Sequence, residues 1–88
     1  MSNITIRSEL RKILTVIADQ SKNNVNASVY DINVIQESSL PTEEVYNHLH
    51  ELESLGLIKL GIKASGASFR LLNITTEGLS QLRNQHLR

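Results

Sequence analysis

Apolar residues at Ile6, Leu10, Ile13, Leu14, Ile17 and Ala18 recur every three or four positions, which puts them on one stripe of a helix over about 6–20. The polar stretch from Gln20 to Asn26 is rich in turn formers and reads as a surface loop. Ser28, with Asp31 three residues on, offers a cap to a second, shorter helix over about 29–38 that turns Val29, Ile32 and Ile35 inward. Ser38-Ser39-Leu40-Pro41 breaks this pattern, because proline lacks an amide hydrogen and disfavours a helical residue before it. A third helix is then expected over about 42–55. Glu43 and Glu44 suit the positive end of its dipole, Val45, Leu49, Leu52 and Leu55 form its apolar stripe, and Gly56 ends it.

Past Gly56 the period shortens towards two, and 57–74 reads as a β-hairpin whose tip lies near Gly66. Thr75 or Thr76 then caps a last helix over about 76–87 that carries Leu79, Leu82 and Leu87. The expected fold is mainly α with a small β-hairpin, in the order helix, helix, helix, strand, strand, helix, as one domain over 1–88.

Two segments sharpen this outline. Pro41-Thr42-Glu43-Glu44-Val45-Tyr46-Asn47-His48-Leu49-His50-Glu51-Leu52-Glu53-Ser54-Leu55-Gly56-Leu57-Ile58 resembles the recognition helix and first wing strand of winged helix-turn-helix regulators. Ile74-Thr75-Thr76-Glu77-Gly78-Leu79 is similar to the strand-to-helix junction of the MarR and PadR groups. Together they frame the chain from Val29 to Leu82 and mark the superfamily without singling out a member. The residues themselves specify a fold: Gly56 lets the chain reverse, while Leu49, Leu52, Leu57 and Ile58 fill the space beneath the wing.

The resemblance implies sequence-specific binding of double-stranded DNA by a small transcriptional regulator, with the third helix in the major groove and the wing on the backbone. Carried onto this sequence, it nominates Thr42, Tyr46, Asn47 and His50 on the helix, and Lys59, Lys63 and Arg70 on the wing. An exposed helix face needs polar residues in any case, and lysines on a hairpin also discourage edge-to-edge pairing.

Charge complicates the picture. Formal net charge is zero, and the third helix carries Glu43, Glu44, Glu51 and Glu53 with no lysine or arginine between Thr42 and Ser54. Glu51 would repel phosphates in a standard docking, and Arg7, Arg11 and Lys12 offset it only if the fold or a dimer brings them to the same surface. The alternative is therefore a protein-interaction module that meets a basic partner through the acidic face of the third helix. A homodimer through the terminal helices is expected, since a single short helix with few cations binds weakly, and Leu10, Ile13, Leu14, Ile17, Leu82 and Leu87 are the candidate seam.

Other chemistry finds little footing. The chain has no cysteine, so thiolate chemistry, disulfides and the usual structural zinc sites are out. His48 and His50 stand two apart on a helix and diverge, and His86 is remote. No phosphate loop, nucleophile elbow or carboxylate pair is present, so neither enzyme activity nor a cofactor is expected. The N-terminus does not read as a secretion signal and no stretch is long and apolar enough to span a membrane, which suits a soluble cytoplasmic protein.

Overall fold

The computed structural model describes residues 8–61 and 69–86, with side chains through 83. Helix α1 (Ser8–Ser21) turns Leu10, Ile13, Leu14, Ile17 and Ala18 into the interior, together with Val16. The chain leaves it through Lys22 and Asn23, both at positive φ, and the Asn23 N–H closes the helix end on Ala18 O at 2.9 Å.

Val29 and Tyr30 correct the sequence reading. They form a short strand, β1 (Val29–Tyr30), rather than the first turn of the second helix. A β-branched and an aromatic residue suit extended backbone, and Val29 reaches the core from there at 4% exposure. Helix α2 (Asp31–Ser38) consequently starts later, and no side chain caps it. Ser28, expected as that cap, instead donates its hydroxyl to Asn73 Oδ1 at 3.2 Å. The later start also rotates the buried face: Asp31, Val34 and Ser38 point inward, Ile35 is half-buried, and Ile32 is exposed.

Ser39 in the left-handed conformation ends α2, and Pro41 sits at the N-cap of α3 (Thr42–Ser54). Val45, Leu49 and Leu52 are completely buried, whereas Leu55, expected on the same stripe, lies past the helix end and is exposed. Gly56 takes φ +78°, and the Leu57 N–H donates back to Leu52 O at 3.0 Å.

Strands β2 (Ile58–Leu60) and β3 (Leu71–Ile74) pair antiparallel with Ile58 opposite Ile74, Lys59 opposite Asn73 and Leu60 opposite Leu72. On the other side of β3, Val29 faces Leu72 and Tyr30 faces Leu71, so the sheet order is β1-β3-β2 and the expected hairpin is part of a three-stranded sheet. Thr75 caps α4 (Thr76–His86): its hydroxyl accepts the Gly78 N–H at 3.0 Å and donates to Gly56 O at 2.8 Å. Gly78 is required by close approach, because a Cβ there would collide with Leu57 O and stand 2.8 Å from Ile74 Cγ1.

The core is aliphatic throughout and is shared by α1, α2, α3 and all three strands. The α1 stripe proposed for a dimer seam lies inside it: Leu10, Ile13, Leu14 and Ile17 are at most 2% exposed. The reason is geometric, since α1 is covered on different sides by α2, α3, α4 and the sheet.

Candidate nucleic-acid interface

Helix α3 buries Val45, His48, Leu49 and Leu52, so its 3.6-residue period turns Glu43, Asn47, His50 and Ser54 to the opposite side. Thr42, Asn47 and His50 are all exposed, and Asn47 and His50, three residues apart, are neighbours on the outward surface. Asn47 offers the paired donor and acceptor that can read an adenine edge, and His50 can hydrogen-bond a base edge or a phosphate.

Tyr46 is half-buried and turned towards α2, where its hydroxyl donates to Asp31 Oδ2 at 2.6 Å. That hydrogen bond raises the phenol above its ordinary pKa of 10.0, with burial and the Asp31 charge adding to it and Arg70 opposing. The hydroxyl therefore keeps its proton near neutrality and holds it against Asp31.

The acidic residues divide by position. Glu43 and Glu53 are exposed, while Glu44 flanks the buried face, with Oε2 3.7 Å from Nε2 of His48. His48 is 8% exposed and His50 lies on the solvent side, so the two imidazoles diverge as their spacing implies. Among the described residues no group of three His, Asp or Glu side chains could hold a metal ion.

On the wing, Ile58 is buried, Leu60 is half-buried and Lys59 is exposed, so Lys59 stands on the outer face of the sheet. Lys63 lies outside the described residues. Arg70 is half-buried, and its Nε is enclosed with no hydrogen-bond partner among the described residues. Of the first-helix cations expected to offset the acids, Arg7 lies outside the described residues. Arg11 lines an open cleft of about 580 Å³ between α1 and α4, with Thr15, Leu79, Leu82 and Arg83.

Sequence reasoning missed two features. The outer sheet face carries an apolar patch in which the Tyr30 and Phe69 rings meet edge-on at 4.8 Å beside exposed Leu71. Hydropathy cannot show it, because the two residues of β1 are too few to display alternation. The second is Asp31, only 1% exposed, whose carboxylate also accepts the Arg70 N–H at 3.0 Å. A helix-starting aspartate is ordinarily a surface residue, and this one is enclosed between Arg70, which leads into β3, and Tyr46 of α3.

No protein-family model matches the sequence, and no curated protein matches it. Solved structures do. BpsR from Bordetella bronchiseptica, whose DNA binding is regulated by 6-hydroxynicotinic acid, superimposes with a TM-score of 0.77 at 10% identity, over 98% of this chain and 61% of that one. A mutant MarR from E. coli in complex with operator DNA gives 0.77 at 17% identity, over 93% and 54%. A provisionally assigned DNA-binding protein from Ralstonia eutropha gives 0.75 at 20% identity, over 92% and 98%. This chain therefore spans between half and two thirds of the first two and nearly the whole of the third. The fold is a winged helix-turn-helix, similar to that of these structures.

Proposed function

We propose that this chain is a small transcriptional regulator that binds double-stranded DNA sequence-specifically, with α3 in the major groove and the wing against the backbone. The observation that carries this reading is the exposed pair Asn47 and His50 on the outward side of α3, with Thr42 exposed at its first residue, in a fold that also presents the wing cation Lys59 to solvent. Asn47 and His50 supply base-edge contacts and Thr42 and Lys59 meet phosphates, and the reading assigns Lys63 and Arg70 to the backbone as well. Tyr46 adds its ring to that surface, its hydroxyl being engaged by Asp31.

In this reading the protein acts as a homodimer, which lets two half-sites be bound together. Support for a seam at the terminal helices comes from the α1–α4 cleft, where Leu79 and Leu82 are only half-buried. Enzyme activity has no place in the proposal.

Selection from a randomised duplex pool, followed by titration of the enriched sequence, tests the reading. Enrichment of a two-fold symmetric site that Asn47→Ala no longer discriminates is the expected result. A pool that stays random while the protein binds nothing would exclude specific recognition and turn attention to the acidic residues Glu43 and Glu53 as a surface for a basic protein.

A further inference from the structure

Asp31 stands where β1 ends and α2 begins. Its N–H donates to Arg70 O at 2.9 Å, carrying the β1–β3 ladder one step beyond the Tyr30–Leu71 pair. Its own carbonyl has already turned into α2, so the ladder has no main-chain acceptor left for the Arg70 N–H. The side chain fills that role, with Oδ1 accepting Arg70 N–H at 3.0 Å. The second carboxylate oxygen faces the other way and accepts the Tyr46 hydroxyl at 2.6 Å. One carboxylate, 1% exposed, thus grips the residue that leads into β3 and the middle of α3 at once.

This arrangement is expensive to build and sensitive to loss. A buried carboxylate is tolerated when its oxygens are hydrogen-bonded, and here the N-terminus of α2 adds a favourable dipole. Removing either partner leaves charge uncompensated, so the three groups rise and fall together.

We propose that Asp31 is a positioning residue that fixes the wing relative to α3 through Arg70 and Tyr46, so that both elements meet one duplex in a set geometry. The inference rests on the DNA-binding reading above and deepens it, since Asp31 itself is too buried to touch DNA. The mechanical part is separable: the link between α3 and the base of the wing exists whether or not DNA is the ligand. Tyr46 accordingly acts through Asp31, and its hydroxyl makes no contact with DNA.

Two measurements on the full chain test this. In native-state amide exchange, Tyr46→Phe should speed exchange at Arg70 and Leu71 by about tenfold, the effect of losing one hydrogen bond to a charged group, while Leu14 in the core is unchanged. Unchanged protection at Arg70, or equal loss at Arg70 and Leu14, would overturn the proposal. In titrations with a fixed duplex, Tyr46→Phe, Asp31→Asn and the double variant form a cycle. Coupling predicts that Tyr46→Phe weakens binding about tenfold in the parent and has little effect once Asp31 is Asn. Full additivity would instead make Tyr46 a direct contact and sink the positioning role. If Asp31→Asn does not fold, the Tyr46→Phe exchange result decides alone. If the parent chain binds no duplex, the DNA reading fails, and the Asp31 link still stands or falls on exchange.

Discussion

At the scale of single residues, Gly78 and Tyr46 show how narrowly the fold constrains chemistry that hydropathy ignores. Gly78 lies in the first turn of α4, where alanine would ordinarily be favoured by about 1 kcal/mol. A Cβ, however, would press on the main-chain oxygen of Leu57 and the Ile74 side chain, and a backbone carbonyl cannot swing aside. Gly78→Ala should therefore destabilise the protein by about 1–3 kcal/mol, the usual cost of overpacking, and lower the midpoint of a thermal melt by several degrees. An unchanged or higher midpoint would show that α4 can shift away without loss.

Tyr46 gives a pH dependence whose sign follows from its surroundings. Its folded pKa lies above the unfolded value of 10.0, chiefly because it donates to Asp31. The stability it contributes is complete below the unfolded pKa and is lost as pH rises through the folded one, so the alkaline side of the stability profile carries its signature. With Tyr30→Phe leaving Tyr46 as the sole tyrosine, ultraviolet titration of the phenolate should give a midpoint above the ordinary value, and Asp31→Asn should bring it down. A midpoint indifferent to Asp31→Asn would mean the hydrogen bond does not persist in solution.

At the scale of elements, the proposed DNA interface sets the acids of α3 against the cations of the wing. If Lys59 meets a phosphate as proposed, Lys59→Ala should weaken duplex binding at every sequence while reducing the salt slope by about 0.9. Glu43→Gln removes an exposed negative charge from the outward side of α3 and should tighten binding at low salt. Opposite or null shifts in these two variants, read from the same titration series, would detach α3 and the wing from the binding surface.

The elements also show what the sequence could express. Helices α1 and α3 declare themselves because their apolar residues repeat every three or four positions over several turns, α4 follows from the Thr75 cap with Leu79 and Leu82 one turn apart, and the Gly56 boundary has a local physical cause. Strand β1 does not, since two residues are too few to display alternation and Val29 fits a helix pattern equally well. Missing it displaced the start of α2, sent Ile32 to the wrong side and hid Asp31 among capping residues. That Asn47 and His50 lie outward follows from the helical period of α3. The inward commitment of the Tyr46 hydroxyl does not, because it depends on Asp31, fifteen residues earlier in the chain.

At the scale of the whole molecule, Leu10, Ile13, Leu14 and Ile17 belong to the core, so a dimer seam on the terminal helices must use what α4 leaves open. Leu82 beside the α1–α4 cleft is the residue to change. Sedimentation should find the parent chain dimeric and Leu82→Glu monomeric, with operator affinity falling about a hundredfold as the second half-site is lost. A parent chain that stays monomeric at high concentration would remove the dimer from the account.

The proposed function asks a chain of zero net charge to offer DNA a productive surface. Its most direct test is fluorescence anisotropy of a labelled random duplex titrated with the protein at about 50 and 200 mM salt. Micromolar binding at the lower salt that weakens steeply at the higher is expected, as release of counterions from the phosphates requires. Absence of binding at low salt and high protein concentration would contradict it, and would mean that the acids of α3 prevail over the cations of the wing.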